Sequence, residues 1–166
     1  KWNSIPGWLQ KRCKDQFGES GATALMQRIN QVPKSFIRVN LSRVSLNEVY
    51  EGLSASEIEV ENYSDNYLNI KFGIGKIFSH ELFQSGLISV QDPAAGGIVE
   101  FLDPTQGETV LDVCAAPGTK SLFIAERVGA TGRVFSSDSD PKRVKLGKND
   151  IERHRQIQIE WSIKDA

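Results

Sequence analysis

The run Asp112-Val113-Cys114-Ala115-Ala116-Pro117-Gly118-Thr119-Lys120 holds the densest chemical information in the chain. It follows a short apolar stretch, Thr109-Val110-Leu111, and precedes a helix-like stretch from Ser121 to Val128. A strand, a tight turn of small residues and a helix is how a doubly wound α/β sheet presents a cofactor cradle. Small side chains let a ligand approach the main chain closely, and Gly118 tolerates backbone angles that other residues resist. The N–H groups opening the next helix then face an anionic group.

Spacing narrows the ligand. A dinucleotide fingerprint needs Gly-x-Gly-x-x-Gly, and this turn has one glycine at its tip. A P-loop needs a glycine five residues before Gly118 and a lysine directly after it. Position 113 is Val, and Thr119 separates Gly118 from Lys120, so both phosphate-gripping patterns fail. A ligand whose anion is a single carboxylate, such as S-adenosylmethionine, asks less of the loop.

Acidic residues recur where such a sheet would need them. Arg133-Val134-Phe135-Ser136-Ser137-Asp138 reads as a strand ending in a carboxylate twenty residues after Gly118, the place where a ribose diol is held. Asp140 and Pro141 then suit a helix start, with the helix running to about Arg155. A third alternation, Ile157-Gln158-Ile159-Glu160-Trp161, leads to Asp165. Asp112, Asp138 and Asp165 would thus line one edge of a parallel sheet. The plainer reading of each is a helix cap or a surface charge, and for Asp140 that reading is preferred.

With Val90-Gln91-Asp92 upstream, the run Asp112 to Lys120 resembles the RNA (cytosine-5) methyltransferases, the group that includes the bacterial 16S ribosomal RNA enzyme. The likeness extends to Trp8-Leu9, to Arg38-Val39-Asn40 and to Asp138 and Asp165, and so covers nearly all of the chain. The resemblance implies that Cys114, Ala115, Ala116, Pro117, Gly118, Thr119 and Lys120 cradle S-adenosylmethionine. It implies further that Asp138 holds the ribose and that Asp165 lies by the adenine. Thr119 stands where the family usually has a second glycine.

The same resemblance sets an expectation for catalysis. Methylating carbon 5 of cytosine requires a thiolate to add at carbon 6, with an acid or base managing protons. In the family that cysteine lies after the fourth and fifth strands, so the nucleophile is expected beyond Ala166 and no catalytic residue within the chain. Cys114 is expected to pack as a small buried group, and Cys13 lies outside the sheet domain. The chain opens on Lys1, which suggests a piece of something larger. An incomplete sheet would leave the Val110 strand at an edge, predicting marginal stability, non-native self-association through that edge or local disorder beyond Asp138, together with weak cofactor affinity.

The elements that position these residues follow from periodicity. Two helices are expected first, one from about Ile5-Pro6 carrying Trp8, Leu9 and Cys13, the other over residues 20–30, ended by Val32-Pro33. Residues 35–41 alternate, with Ile37, Val39 and Leu41 on one side and Phe36, Arg38 and Asn40 on the other. A helix over 46–53, strands over 58–62 and 67–72, a short helix over 79–84 and a strand over 87–90 come next. Asp92 then caps a helix whose first residue is Pro93.

The fold class is therefore α/β: the first half, about three strands, of a Rossmann-like class I methyltransferase sheet. A small α+β module with amino-terminal helices, of the kind that binds RNA, precedes it. The boundary is set near Ser89, giving residues 1–88 and 89–166. Arg38 and Asn40 are the RNA-contact candidates, although pinning the module to the cofactor domain is the favoured alternative.

Composition fits a globular chain of 166 residues, with 39% hydrophobic and 25% charged residues, and it shows no membrane-length apolar run or secretory signal. The cytoplasm is the expected compartment, and two distant cysteines give no metal spacing. Net charge is −1, a poor fit to a nucleic-acid binder, but residues 1–43 carry eight Lys/Arg against two acids. Residues 44–67 carry six acids and no base. RNA, ribosomal by resemblance, is the expected partner. Alternatives are a methyltransferase with another acceptor and a non-catalytic RNA binder on the same scaffold.

Overall fold

The computed structural model describes residues 4–156 and 158–165. The chain divides between Pro33 and Lys34 into two compact units. In the first, α1 (Gly7–Ile29) is interrupted at Gly18, whose φ of 70° and ψ of 176° are not helical. This accounts for the expectation of two helices: a left-handed glycine divides one span. Cys13, Ala22 and Met26 form its small buried cluster with Ile5, while Trp8 stands exposed.

The second unit begins with β1 (Ser35–Val39), α2 (Leu46–Ala55), β2 (Glu59–Ser64), β3 (Tyr67–Phe72), α3 (Ile74–Ile77), α4 (Glu81–Gln84) and β4 (Ile88–Val90). The strands form an antiparallel sheet in the order β2-β3-β1-β4, the split βαβ arrangement of ferredoxin-like folds. Alternation decides its faces: Ile37, Val39, Leu68, Ile70 and Ile88 meet Val49 and Leu53 of α2 in one core. Ser45 begins α2 with a reciprocal capping box to Glu48. The short helix expected at 79–84 is present as α4, which starts at Glu81 where His80 accepts the Leu82 N–H; α3 ahead of it, with Ile77 buried in the core, is additional to the expected elements. The expected boundary at Ser89 falls inside β4, which pairs with β1 and ends at Val90.

Asp92 and Pro93 then open α5 (Pro93–Leu102) as anticipated. The second sheet follows as β5 (Thr109–Asp112), α6 (Thr119–Val128), β6 (Arg133–Asp138), α7 (Pro141–His154) and β7 (Ile159–Ile163). Its order is β5-β6-β7, all parallel, with β5 at an edge. Ile157, expected to open the third strand, lies outside the described residues, and β7 ends two residues later than expected. Val110, Val134, Ile159 and Trp161 pack against Leu122, Ile124 and Val128 of α6. On the opposite face, Leu111 and Phe135 are exposed. Parallel strands bring the carboxyl ends of β5, β6 and β7 to one rim, which carries Asp112, Asp138 and Asp165.

Candidate cofactor site

The loop from Cys114 to Gly118 is built by hydrogen bonds to that rim. Cys114 N–H donates to Asp112 Oδ1 at 3.3 Å, Ala115 N–H to the Ser137 carbonyl at 3.0 Å, and Ala116 N–H to Asp138 Oδ2 at 3.1 Å. The small residues therefore seat the loop on β6, and their amides serve the fold; they are not left open for a ligand. Ala115 and Ala116 are buried because the loop lies flat on the strand ends. Turning the Cys114 N–H inward leaves its side chain exposed, which corrects the expectation of a buried thiol. The Ala116–Pro117 peptide is cis.

The donors available to a ligand come one step later. Gly118 takes φ 114° and stands at the N-cap of α6 with no side chain to cap it. The first N–H groups of a helix have no acceptor within the helix, so those of Thr119, Lys120 and Ser121 form an uncapped positive end. By contrast, α2, α5 and α7 are each capped by a side chain, from Ser45, Asp92 and Asp140. Asp140 is thus a cap, as its plainer reading held. Ser121 Oγ donates to Asp112 Oδ2 at 2.9 Å, tying the first turn of α6 to β5. Lys120 Nζ reaches the Cys114 carbonyl at 3.3 Å, next to the loop.

Asp138 is 4% exposed and aimed at the loop. Its Oδ1 accepts the Asp140 N–H at 3.1 Å, and its Oδ2 accepts that of Ala116. The Asp140 N–H is the largest influence holding this carboxyl below its ordinary range. Ala116 N–H and the charges of Arg143 and Lys120 act in the same direction, and burial opposes them. The group is therefore an anion that fixes the loop and keeps lone pairs for a hydroxyl donor. Asp165 is exposed just beyond β7. It lines a concavity of about 510 Å³ with Val113, Ser137 and Ser162, open on the helix-free face of the sheet.

These features fit the methyl donor expected from the sequence. Its carboxylate matches the uncapped end of α6, and its ribose matches a buried, hydrogen-bonded carboxylate at the tip of the second strand. Three residues of the site carried no sequence signal. Arg143 donates to the Ala116 carbonyl, while Gly147 and Trp161 close on Gly118 from α7 and β7.

The RNA-contact candidates lie elsewhere. Arg38 is 1% exposed, pairs with Glu126 of α6, donates to Gln91 Oε1 at 2.6 Å and stacks over Phe123 at 4.3 Å. Asn40 is also buried, and its Oδ1 accepts from Ser42 N–H and Oγ. Both are thereby removed from an RNA-facing surface. Arg38 instead joins the two sheets, as the alternative reading held. Among the described residues no cluster of His, Cys, Asp and Glu is arranged for a metal, and no helix is long and apolar enough to cross a membrane.

Comparison with known proteins places this geometry. The family model described as 16S rRNA methyltransferase RsmB/F matches residues 99–166. The model described as the ferredoxin-like domain of RsmF/B-like methyltransferases matches residues 5–71. The probable ribosomal RNA small subunit methyltransferase B of Bacillus subtilis is 38% identical over 151 residues, 90% of this chain and 34% of that protein. The Vibrio vulnificus ribosomal RNA small subunit methyltransferase B is 34% identical over 149 residues, 89% of this chain and 34% of its own length. The chain thus spans about a third of the curated relatives it matches. The crystal structure of PH0851 superposes with a TM-score of 0.89 at 30% identity, covering 98% of this chain and 37% of that one. That of NSun6 from Pyrococcus horikoshii with SFG shares the fold, with a TM-score of 0.88 at 14% identity over 99% of this chain and 67% of that one. Two models of one family, over residues 5–71 and 99–166, together with relatives 38% and 34% identical over nearly all of the chain, show that it belongs to the RsmB/F family of 16S rRNA methyltransferases.

Proposed function

We propose that the full-length protein methylates carbon 5 of a cytosine in ribosomal RNA, with S-adenosylmethionine as its cofactor. The observation that carries the proposal is the uncapped start of α6 at Gly118, held beside the Asp138 carboxylate by the loop that Asp138 itself pins. In this reading the N–H groups of Thr119, Lys120 and Ser121 bind the cofactor carboxylate. Asp138 orients the ribose, and Asp165 borders the adenine. The bound cofactor supplies an electrophilic methyl group. The exposed Cys114 thiol is assigned no role in this chemistry, since its loop serves to hold the start of α6 in place.

Residues 1–88 are the module proposed to meet RNA and residues 89–166 the cofactor part. With Arg38 and Asn40 buried, the phosphate-tracking role passes to exposed bases such as Lys11, Arg12 and Lys14 of α1. RNA as acceptor is supported by the RsmB/F family, and cytosine by the resemblance of Asp112 to Lys120. A cytoplasmic setting follows from the same proposal. The test is incubation of the full-length protein with 16S ribosomal RNA and a labelled methyl donor, then nuclease digestion and mass spectrometry. Label in 5-methylcytidine supports the proposal. Label in another nucleoside, or only in protein, overturns it.

A further inference from the structure

Gly147 sits inside α7, where glycine costs about 1 kcal/mol against alanine. Its environment explains its presence. A Cβ at position 147 would stand 2.3 Å from Trp161 Cζ2 and 2.9 Å from the Pro117 carbonyl oxygen. A Cβ on Gly118 would meet the same indole edge at 3.2 Å and Gly147 Cα at 3.3 Å. The rim of one indole ring thus rests in a seat made by the loop glycine and the helix glycine. Trp161 Nε1 is buried with no hydrogen-bond partner among the described residues, so packing alone seats the ring. A steric change at Gly147 therefore passes through the ring to Gly118, with no hydrogen bond to absorb it.

We infer that Gly147 and Trp161 are positioning residues for the cofactor: together they set the orientation of Gly118 and the N–H groups that follow it. The inference rests on the cofactor reading above. Gly147 has no side chain to give a ligand, and the Trp161 indole N–H is buried. Their effect is on the direction of the donors, and small misplacements of such donors are costly.

The test uses the full-length protein with S-adenosylhomocysteine as the calorimetric probe and RNA filter binding alongside. Gly147→Ala and the conservative Trp161→Phe are each expected to weaken the probe by roughly tenfold. RNA affinity should stay unchanged, which a general loss of structure would not allow. Because the shorter Phe ring makes room for the added methyl, the double variant should bind no worse than the weaker single variant. Additive losses, or unchanged binding in Trp161→Phe, would overturn the inference while leaving the cofactor reading intact. Absence of binding by the unmodified protein would overturn both.

Discussion

Arg38 in β1 and Glu126 in α6, 88 positions apart, form a two-pronged buried ion pair that joins the first sheet to the helix rising from the cofactor loop. The second prong, Arg38 Nη2 to Glu126 Oε1, is 2.9 Å, and the side chains are 1% and 6% exposed. Gln91 and the Phe123 ring satisfy the remaining faces of the guanidinium. Removing one partner strands a buried charge. Arg38→Ala should therefore cost about 3–5 kcal/mol, and Arg38→Met with Glu126→Leu distinctly less. Urea denaturation of the three proteins checks this. A loss under about 1 kcal/mol in Arg38→Ala would place the pair with ordinary surface bridges.

A second lock gives the chain a pH signature. His154 at the end of α7 is buried, with Nε2 3.1 Å from Ser89 Oγ of β4. Burial first, and then the charges of Arg153, Arg38 and Arg43, push its pKa from 6.5 down to about 3. The folded state holds the neutral ring while the unfolded chain takes up a proton. The stability this provides is whole above pH 6.5 and drains as pH falls toward 3. Between pH 6 and 5, where carboxylates interfere least, the slope should approach about 1.4 kcal/mol per pH unit. His154→Gln should flatten it, as read from denaturation midpoints at a series of pH values. An unchanged slope would contradict this.

The sequence made some of this architecture legible and hid the rest for definable reasons. Asp92-Pro93 and Asp140-Pro141 announce their helices because cap and first-turn chemistry are local. Strict alternation at Leu68 and Ile70 gave β3 to the residue. For Arg38 the docking role is the favoured alternative to RNA contact, but its partner could not be named, since Glu126 is 88 residues away. The loop was found by its small residues, yet which amides it leaves free depended on Ser137 and Asp138 accepting those of Ala115 and Ala116. Gly147 and Trp161 gave no warning, because a glycine in a helix and an aromatic in a strand acquire meaning only when they touch.

Gly96 offers a packing test at the junction of the sheets. A Cβ there would stand 1.7 Å from the hydroxyl of Tyr67, a buried ring whose phenol is pushed up to about 12, chiefly by burial. Gly96→Ala must move α5 or the tyrosine, at about 1–3 kcal/mol. Pairing it with Tyr67→Phe should recover part of that loss in thermal denaturation. Full additivity would show that the contact is not the cause.

The helix-free face of the second sheet predicts association. Leu111, Val113 and Phe135 are exposed beside the edge strand β5, whose free N–H and C=O groups invite pairing. Sedimentation of the 166-residue chain should show concentration-dependent self-association that Leu111→Lys with Phe135→Lys suppresses. A monomer at all concentrations would contradict this.

The central claim is that the start of α6 receives the methyl donor. Amide chemical shifts of the isotopically labelled chain, followed during titration with S-adenosylmethionine, test it even at weak affinity. The largest saturable shifts should fall on Gly118, Thr119, Lys120 and Ser121, with Asp138 next, and Asp138→Ala should abolish them. No saturable shift, or shifts centred away from the loop and the end of β6, would contradict the account.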